Sequence, residues 1–172
     1  MDKTSARLVA MGNREDLLAG AKRCLIERGW GNTTVRDIAA AAGVSHAAIG
    51  YHFGSRDALL TQALVAAVDE LGGQVADSSF DLSEQGLNRL IDSFGEHRAL
   101  WVAQLEALVR AERSPDVRRH LVQGLREARA GVGGAVQSAL VIGLMVQWLL
   151  DPEEAPSAKE VTDGIRAVAA ES

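Results

Sequence analysis

The chain contains few cysteines, prolines and aromatic residues. Its 172 residues include one cysteine, three prolines and 4% aromatic residues. Because the single cysteine, Cys24, cannot form an internal disulfide, a disulfide-stapled secreted domain is excluded. The prolines all lie at position 115 or later, so the first 114 residues lack a strong helix breaker. With 47% hydrophobic residues, the composition predicts an all-α fold and excludes a disordered chain and a β-sandwich.

Long apolar runs are missing as well. The most apolar stretch, residues 139–150, is shorter than the about 20 residues that cross a membrane. The N-terminal segment MDKTSARLVAMG has no apolar run of the kind found in signal peptides. The sequence therefore predicts a cytoplasmic protein with no membrane partner.

Acidic residues exceed basic ones over the whole chain, which has a formal net charge of −5, but not in its first third. Residues 1–60 carry eight Lys and Arg against six Asp and Glu, whereas residues 61–172 carry ten against seventeen. This asymmetry indicates that any polyanion meets the N-terminal part of the chain.

Hydrophobic periodicity predicts three helices before residue 56. The first stripe begins near Asn13 and ends at Gly29. Thr34 is expected to cap a helix over 35–42, with a capping box and a terminal glycine. Ser45 is expected to cap a shorter helix that ends at Phe53.

Longer helices are predicted for the remainder, which gives about nine in all. They cover about 56–75, a segment from Ser83, 98–113, 116–130, 135–150 and a segment from Ser157. The change in helix length predicts an N-terminal three-helix domain over 1–56. It also predicts a second helical domain over 57–172.

The segment 33–53, TTVRDIAAAAGVSHAAIGYHF, matches a helix-turn-helix. Its glycine, Gly43, permits a sharp reversal between two short helices, and the alanine run lets them cross closely. The second helix would turn its short side chains outward, where it could enter a major groove of DNA.

This region resembles the DNA-binding domain of the TetR family of bacterial transcription regulators. The matching pieces are GWGNTTVRDIA, AAGVS, YHF and SRDALL, across about residues 14–62. The segment LMVQWLLDPE, at 144–153, resembles the eighth helix of that family. The resemblance implies a homodimeric, sequence-specific DNA-binding regulator, a repressor released from a palindromic operator by a small-molecule effector. It implies no enzyme, cofactor or metal.

The resemblance also implies which residues meet double-stranded operator DNA. Ser45, His46 and Ala47, at the front of the recognition helix, would face bases, and Thr34, Tyr51, His52 and Arg56 would contact the phosphate backbone. The DNA-binding set is Thr34, Arg36, Ser45, His46, Ala47, Gly50, Tyr51, His52 and Arg56. Within it, Gly50 stands where the family often has a second tyrosine.

The resemblance implies that the domain over 57–172 is a helical ligand-binding and dimerisation domain, with a partner-binding face and a ligand pocket. The apolar helix at 135–150 is hydrophobic nearly all round, so a second copy of the chain is expected to cover its outer side. The candidates for this interface are Val141, Leu144, Trp148, Ile165 and Val168. The candidates for the pocket lining are Phe94, Trp101, Gln104, Leu105 and Met145. The family usually has more residues between Pro115 and Pro152, so the seventh and eighth helices are expected to be shortened or joined.

The same residues do not fit two other functions, a hydrolase and a zinc site. The stretch 43–47 nearly matches the serine elbow of hydrolases, but the elbow needs a preceding strand and a final glycine. His46 and His52 are six residues apart, so they do not share a helical face as zinc ligands do. A helical scaffold with a vestigial helix-turn-helix remains the alternative, as does a DNA-binding regulator without an effector.

Overall fold

The computed structural model describes residues 3–75, 82–131 and 133–170. These residues form nine helices and no strand, as the composition predicts. The helices are α1 (Lys3–Asn32), α2 (Val35–Ala42), α3 (Ala47–Phe53), α4 (Arg56–Val75), α5 (Glu84–Glu96), α6 (Arg98–Ala111), α7 (Pro115–Gly131), α8 (Ala135–Leu150) and α9 (Ala158–Ala170).

The first helix differs from the prediction at both ends. It begins at Lys3, ten residues before the expected start at Asn13. It also continues to Asn32, although the backbone at Gly29 leaves helical geometry at φ 73° and ψ 171°. Glycine tolerates this left-handed φ, so α1 is broken at Gly29 and then resumes. The fully buried indole of Trp30 follows that break and holds the last turn against the core.

The helix-turn-helix forms as the local sequence predicts. Thr34 caps α2 and shares a capping box with Asp37. Gly43 ends the helix at φ 68°, and its N–H donates back to two carbonyls of α2. The cap predicted at Ser45 is wrong by one residue: His46 is the N-cap of α3 and makes no side-chain capping bond, while the Ser45 hydroxyl accepts from the backbone N–H of Ala47 at 3.3 Å. The helix itself is regular from Ala47 onward.

Helix α4 is the centre of the fold, because it packs against α1, α3, α6 and α7. Its Leu59, Leu60 and Leu64 are fully or almost fully buried. One buried cluster runs through residues on both sides of position 56, from Leu17 in α1 to Met145 in α8. The division into 1–56 and 57–172 stays a prediction, since the core continues across that boundary.

The remaining helix ends follow their predicted caps. The hydroxyl of Ser83 accepts from the N–H of Gly86 at 3.1 Å and caps α5. Ser157 and Glu160 form the capping box expected before α9. Helices α7 and α8 are not joined, because Gly133 and Gly134 take φ values of 93° and 128° between them.

Among the described residues, no single helix has both the length and the apolar character that a membrane span needs. One bent pair, α7 with α8, meets both conditions when its two helices are counted together, and the bend between them is 114°.

Candidate nucleic-acid interface

The recognition helix α3 is held by one face and presents the other to solvent. Ile49 and Phe53 point into the core, with 2% and 8% of their surfaces exposed. The guanidinium of Arg14 on α1 lies over the Phe53 ring, 5.2 Å from its centroid. Arg14 also donates to the side-chain oxygen of Gln62 on α4 at 3.0 Å. These contacts from α1 and α4 fix the angle at which α3 leaves the body of the protein.

The opposite face of α3 and the turn before it carry five residues of the predicted DNA-binding set, including the three predicted to face bases. All of the following are exposed: Ser45, His46, Ala47, Gly50 and Tyr51. Within the described part of the chain no other element covers this face, so its polar and small side chains can meet a ligand as wide as a DNA groove.

Tyr51 is the most prominent side chain on this face, with 83% of its surface exposed. Its ring meets the half-buried ring of His52 edge to face, with 4.8 Å between centroids. This contact limits the freedom of both rings without burying the tyrosine hydroxyl. Both side chains therefore stand at the C-terminal end of α3 in defined positions.

Gly50 leaves a gap in the same face. A Cβ built at this position would meet nothing within 4 Å. Packing therefore gives no reason for a glycine here, and a larger side chain would project into solvent. The glycine leaves room beside Tyr51 for a base or a phosphate to approach the helix backbone.

The N-terminus of α2 contributes two more of the predicted residues. Arg36 is exposed on the outer side of the helix. Thr34 is also exposed, but its hydroxyl already donates to the carboxylate of Asp37 at 2.6 Å. Arg28 pairs with that carboxylate at 2.9 Å. Thr34 is thus a helix cap whose hydroxyl would have to leave Asp37 in order to donate to a phosphate.

Arg56 does not lie as its predicted phosphate-binding role requires. Its guanidinium donates to the backbone carbonyl of Trp30 and pairs with Asp57 at 2.9 Å. The side chain is only 23% exposed and reaches back to the last turn of α1. Sequence position alone does not reveal this orientation, because Trp30 precedes Arg56 by 26 residues.

The predicted pocket residues divide into two groups. Gln104 and Met145 line a cavity of about 280 Å³ between α4, α6, α7 and α8. The other three do not line it: Phe94, Trp101 and Leu105. The rings of Phe94 and Trp101 pack edge to face at 5.4 Å, and the indole N–H donates to the Ser93 carbonyl, so this pair fills the core. The sequence analysis did not predict the lining residues of α7, among them Leu121, Val122 and Leu125.

The predicted interface residues also divide. Val141, Trp148 and Ile165 are half-buried, and Val168 is 68% exposed, so each retains surface for a partner. Leu144 is only 3% exposed and packs in the chain's own core, so it has almost no surface to offer. Helix α8 is not covered all round. It leaves one stripe exposed at helical spacing: Val136, Ala139, Gly143, Gln147 and Leu150.

Comparison with known proteins agrees with this geometry. Residues 17–63 match the family model described as bacterial regulatory proteins, tetR family. The chain is 35% identical over 77 residues to the transcriptional repressor AcnR of Corynebacterium efficiens, across 45% of this chain and 37% of that protein. It is 38% identical over 73 residues to the repressor KstR2 of Rhodococcus jostii, across 42% of this chain and 34% of the relative. These matches therefore span little more than a third of each relative.

Solved structures with the same fold cover nearly the whole chain. The multidrug binding protein EbrR, crystallised with imidazole, superposes with a TM-score of 0.69 at 22% identity, over 90% of this chain and 93% of that one. A TetR transcription regulator from Haloarcula marismortui gives a TM-score of 0.57 at 19% identity, over 92% and 95%. At these identities the likeness concerns the fold. The family match concerns residues 17–63, which carry the helix-turn-helix, and the solved structures extend the likeness of the fold to nearly the whole chain.

Proposed function

We propose that the chain is a homodimeric transcriptional repressor that binds a palindromic operator through α3. The single observation that carries this proposal is the uncovered face of α3, where Tyr51 stands 83% exposed on a helix anchored from behind by Ile49 and Phe53. A solvent-facing tyrosine on a short helix that is anchored from behind is available to contact the DNA backbone when that helix enters a major groove. The curated relatives named as repressors support the direction of regulation.

The test begins with an operator chosen by the protein itself. Duplexes of about 30 base pairs are selected from a random pool by repeated binding, which allows two half-sites one helical turn apart. Affinity for the selected duplex and for a scrambled duplex is then measured by fluorescence anisotropy over increasing salt. A specific regulator binds the selected duplex at least about 10³-fold more tightly, and both affinities fall as salt rises.

Substitution of Tyr51 connects the result to the proposed face. We expect Tyr51→Ala to weaken operator binding at least about tenfold, because it removes a contact to the DNA backbone. We expect the fold to be kept, because the Tyr51 side chain is 83% exposed. The matched control is Val109→Ala on α6, which removes an equally exposed apolar side chain (73%) far from α3. Absence of specific binding by the wild type, or equal binding by both variants, would favour the scaffold alternative.

Dimerisation is proposed to use the exposed stripe of α8 with the outer side of α9. Val136 and Leu150, at the two ends of the stripe, are 76% and 79% exposed, and Val168 of α9 is 68% exposed. Ala139 and Gly143 lie between those ends, and their small side chains let a second helix approach closely. We expect Gly143→Arg to dissociate the dimer in sedimentation experiments, whereas Gly72→Arg, at an exposed site on α4, does not.

The effector is proposed to occupy the cavity between α4, α6, α7 and α8. Apolar side chains such as Leu108, Leu121 and Ile142 form most of its lining. Asp69 contributes a carboxylate, and no ion pair joins it to any described Lys or Arg. Burial raises the pKa of Asp69, and the negative charge of Glu127 adds to the rise. An apolar cavity with an unpaired carboxylate is complementary to a hydrophobic monocation.

A thermal-shift screen of hydrophobic cations against neutral compounds of the same size tests this effector class. We expect the cations to raise the melting temperature of the wild type and to lose that effect in Asp69→Asn. The control is Asp92→Asn, at an exposed position on α5. Equal shifts from neutral and cationic compounds would argue against a role for the carboxylate in recognition. No shift from any compound would favour a regulator without an effector.

A further inference from the structure

One residue of α1, Trp30, is held through both of its backbone polar groups by side chains from two other helices. The N–H of Trp30 donates to a carboxylate oxygen of Glu106 on α6 at 3.0 Å. The carbonyl of the same residue accepts from the guanidinium of Arg56 at the start of α4. Trp30 follows the break at Gly29, where the regular hydrogen bonds of α1 are interrupted. The side chains therefore take the place of helix partners that this turn has lost.

The contacts form a closed ring. Arg56 pairs with Asp57 at 2.9 Å, and the other oxygen of Asp57 lies 3.8 Å from Arg110. Arg110 lies one turn after Glu106 on α6, so the helix itself connects these two residues and closes the ring. We name these five residues, Trp30, Glu106, Arg56, Asp57 and Arg110, the clasp. Glu106, Arg56 and Asp57 are half-buried, which strengthens the ionic contacts among them.

The clasp lies directly before the DNA-binding helices. The Thr33 hydroxyl donates to the carbonyl of Gly29 at 2.8 Å, and Arg28 pairs with Asp37 inside the first turn of α2. The two residues directly before Trp30, Arg28 and Gly29, are thus bonded to residues at the start of α2. On the other side, Arg56 is the first residue after α3 and its terminal turn. The clasp therefore holds the entrance and the exit of the helix-turn-helix together.

The same helix that supplies two clasp residues also lines the cavity. Gln104 and Leu108 face the cavity, whereas Glu106 and Arg110 face α1 and α4. In a helix, residues two positions apart lie about 200° apart around the axis, so the two pairs occupy opposite sides of α6. A displacement of α6 at the cavity must therefore move the acceptor of the Trp30 N–H.

We propose that Glu106 is a positioning residue for DNA recognition, which sets the orientation of α3 by accepting the backbone N–H of Trp30. It touches no DNA itself. The inference rests on the proposed function, since its consequence is read out as operator affinity. Its structural part is independent of DNA, because the hydrogen bond restrains the helix-turn-helix in the free protein as well.

The test compares two substitutions at Glu106 in the full chain. Glu106→Ala removes the acceptor, and we expect operator affinity to fall about tenfold, the effect of losing one charge-assisted hydrogen bond. Glu106→Gln keeps an acceptor oxygen at the same reach and is expected to stay within about threefold of the wild type. Glu153→Ala removes the same charge from an exposed turn after α8 and is expected to bind as the wild type does.

Amide hydrogen exchange reads the same contact without DNA. In Glu106→Ala, we expect residues 28–37 to exchange about tenfold faster than in the wild type, with slower exchange restored in Glu106→Gln. If Glu106→Ala fails to fold, Asp57→Asn weakens the clasp from α4 and is expected to speed exchange over the same segment.

Three results would overturn the proposal. They are equal operator affinity in Glu106→Ala and Glu153→Ala, a loss in Glu106→Gln as large as in Glu106→Ala, or unchanged exchange over 28–37. A wild type that binds no duplex specifically would contradict the proposed function instead. The exchange measurement would then decide on the clasp by itself.

Discussion

Thr34 and Asp37 satisfy each other at the start of α2. The backbone N–H of Thr34 donates to the Asp37 carboxylate at 2.8 Å, and the backbone N–H of Asp37 donates to the Thr34 hydroxyl at 3.2 Å. Two amides that the helix leaves unpaired thereby find acceptors within three residues. This reciprocal pair fixes the start of α2, the first helix of the helix-turn-helix.

Replacement of Thr34 tests the cap. We expect Thr34→Ala to lower the free energy of unfolding by about 1 kcal/mol, because the N–H of Asp37 loses its acceptor. Thr34→Ser keeps the hydroxyl and is the matched control. Urea denaturation of the three proteins measures the difference, and a Thr34→Ala midpoint equal to that of the serine variant would contradict the cap.

Acidification should weaken the same turn. The hydrogen bonds from the Thr34 side chain and backbone lower the pKa of Asp37, and the positive charge of Arg28 lowers it further. A carboxylate whose pKa is lower in the folded state than in the unfolded state stabilises the fold at pH values above its unfolded pKa. That stabilisation is lost as the pH falls from the unfolded value, about 4, through the lower folded one.

Melting temperatures between about pH 7 and about pH 3 measure this contribution. We expect the wild type to lose more stability over the acidic part of this range than Asp37→Asn does, since asparagine carries no charge to titrate. Parallel profiles for the two proteins would mean that Asp37 adds no acid-sensitive stability.

Gly50 is expected to accept a side chain at no steric cost. Since a Cβ there meets nothing within 4 Å, Gly50→Ala should stabilise the protein by about 0.5–1 kcal/mol through its helix propensity. Thermal and urea denaturation measure the gain. A loss of stability in this variant would show that α3 has a tighter environment than its open face indicates.

Gly124 should respond to the same substitution in the opposite way. A Cβ at this position of α7 would lie 3.0 Å from both γ-carbons of Val65 on α4. Because valine is β-branched and has one preferred rotamer in a helix, it cannot turn both methyl groups away. We expect Gly124→Ala to cost about 1–3 kcal/mol in urea denaturation, the usual cost of overpacking. An unchanged midpoint would mean that α7 moves away freely.

The sequence alone determined those features that depend on neighbours a few residues away. The bounds of α2, its cap at Thr34, its glycine end at Gly43 and the cap of α5 at Ser83 were all predicted. So was the exposed side of α3, because a 3.6-residue period separates Tyr51 from the buried Ile49 and Phe53. Hydrogen bonds within one turn and the helical period can both be read without knowing the tertiary fold.

Only the tertiary structure decided the features that depend on which helices face each other. It turned Arg56 toward the Trp30 carbonyl, buried Leu144 in the chain's own core and placed Phe94 outside the cavity that α7 helps to line. It also brought Glu106 to a peptide 76 residues earlier in the chain. Side chains of the same type and similar spacing lie in the core, the cavity or the clasp according to the surface that packs against them. That surface comes from distant parts of the sequence.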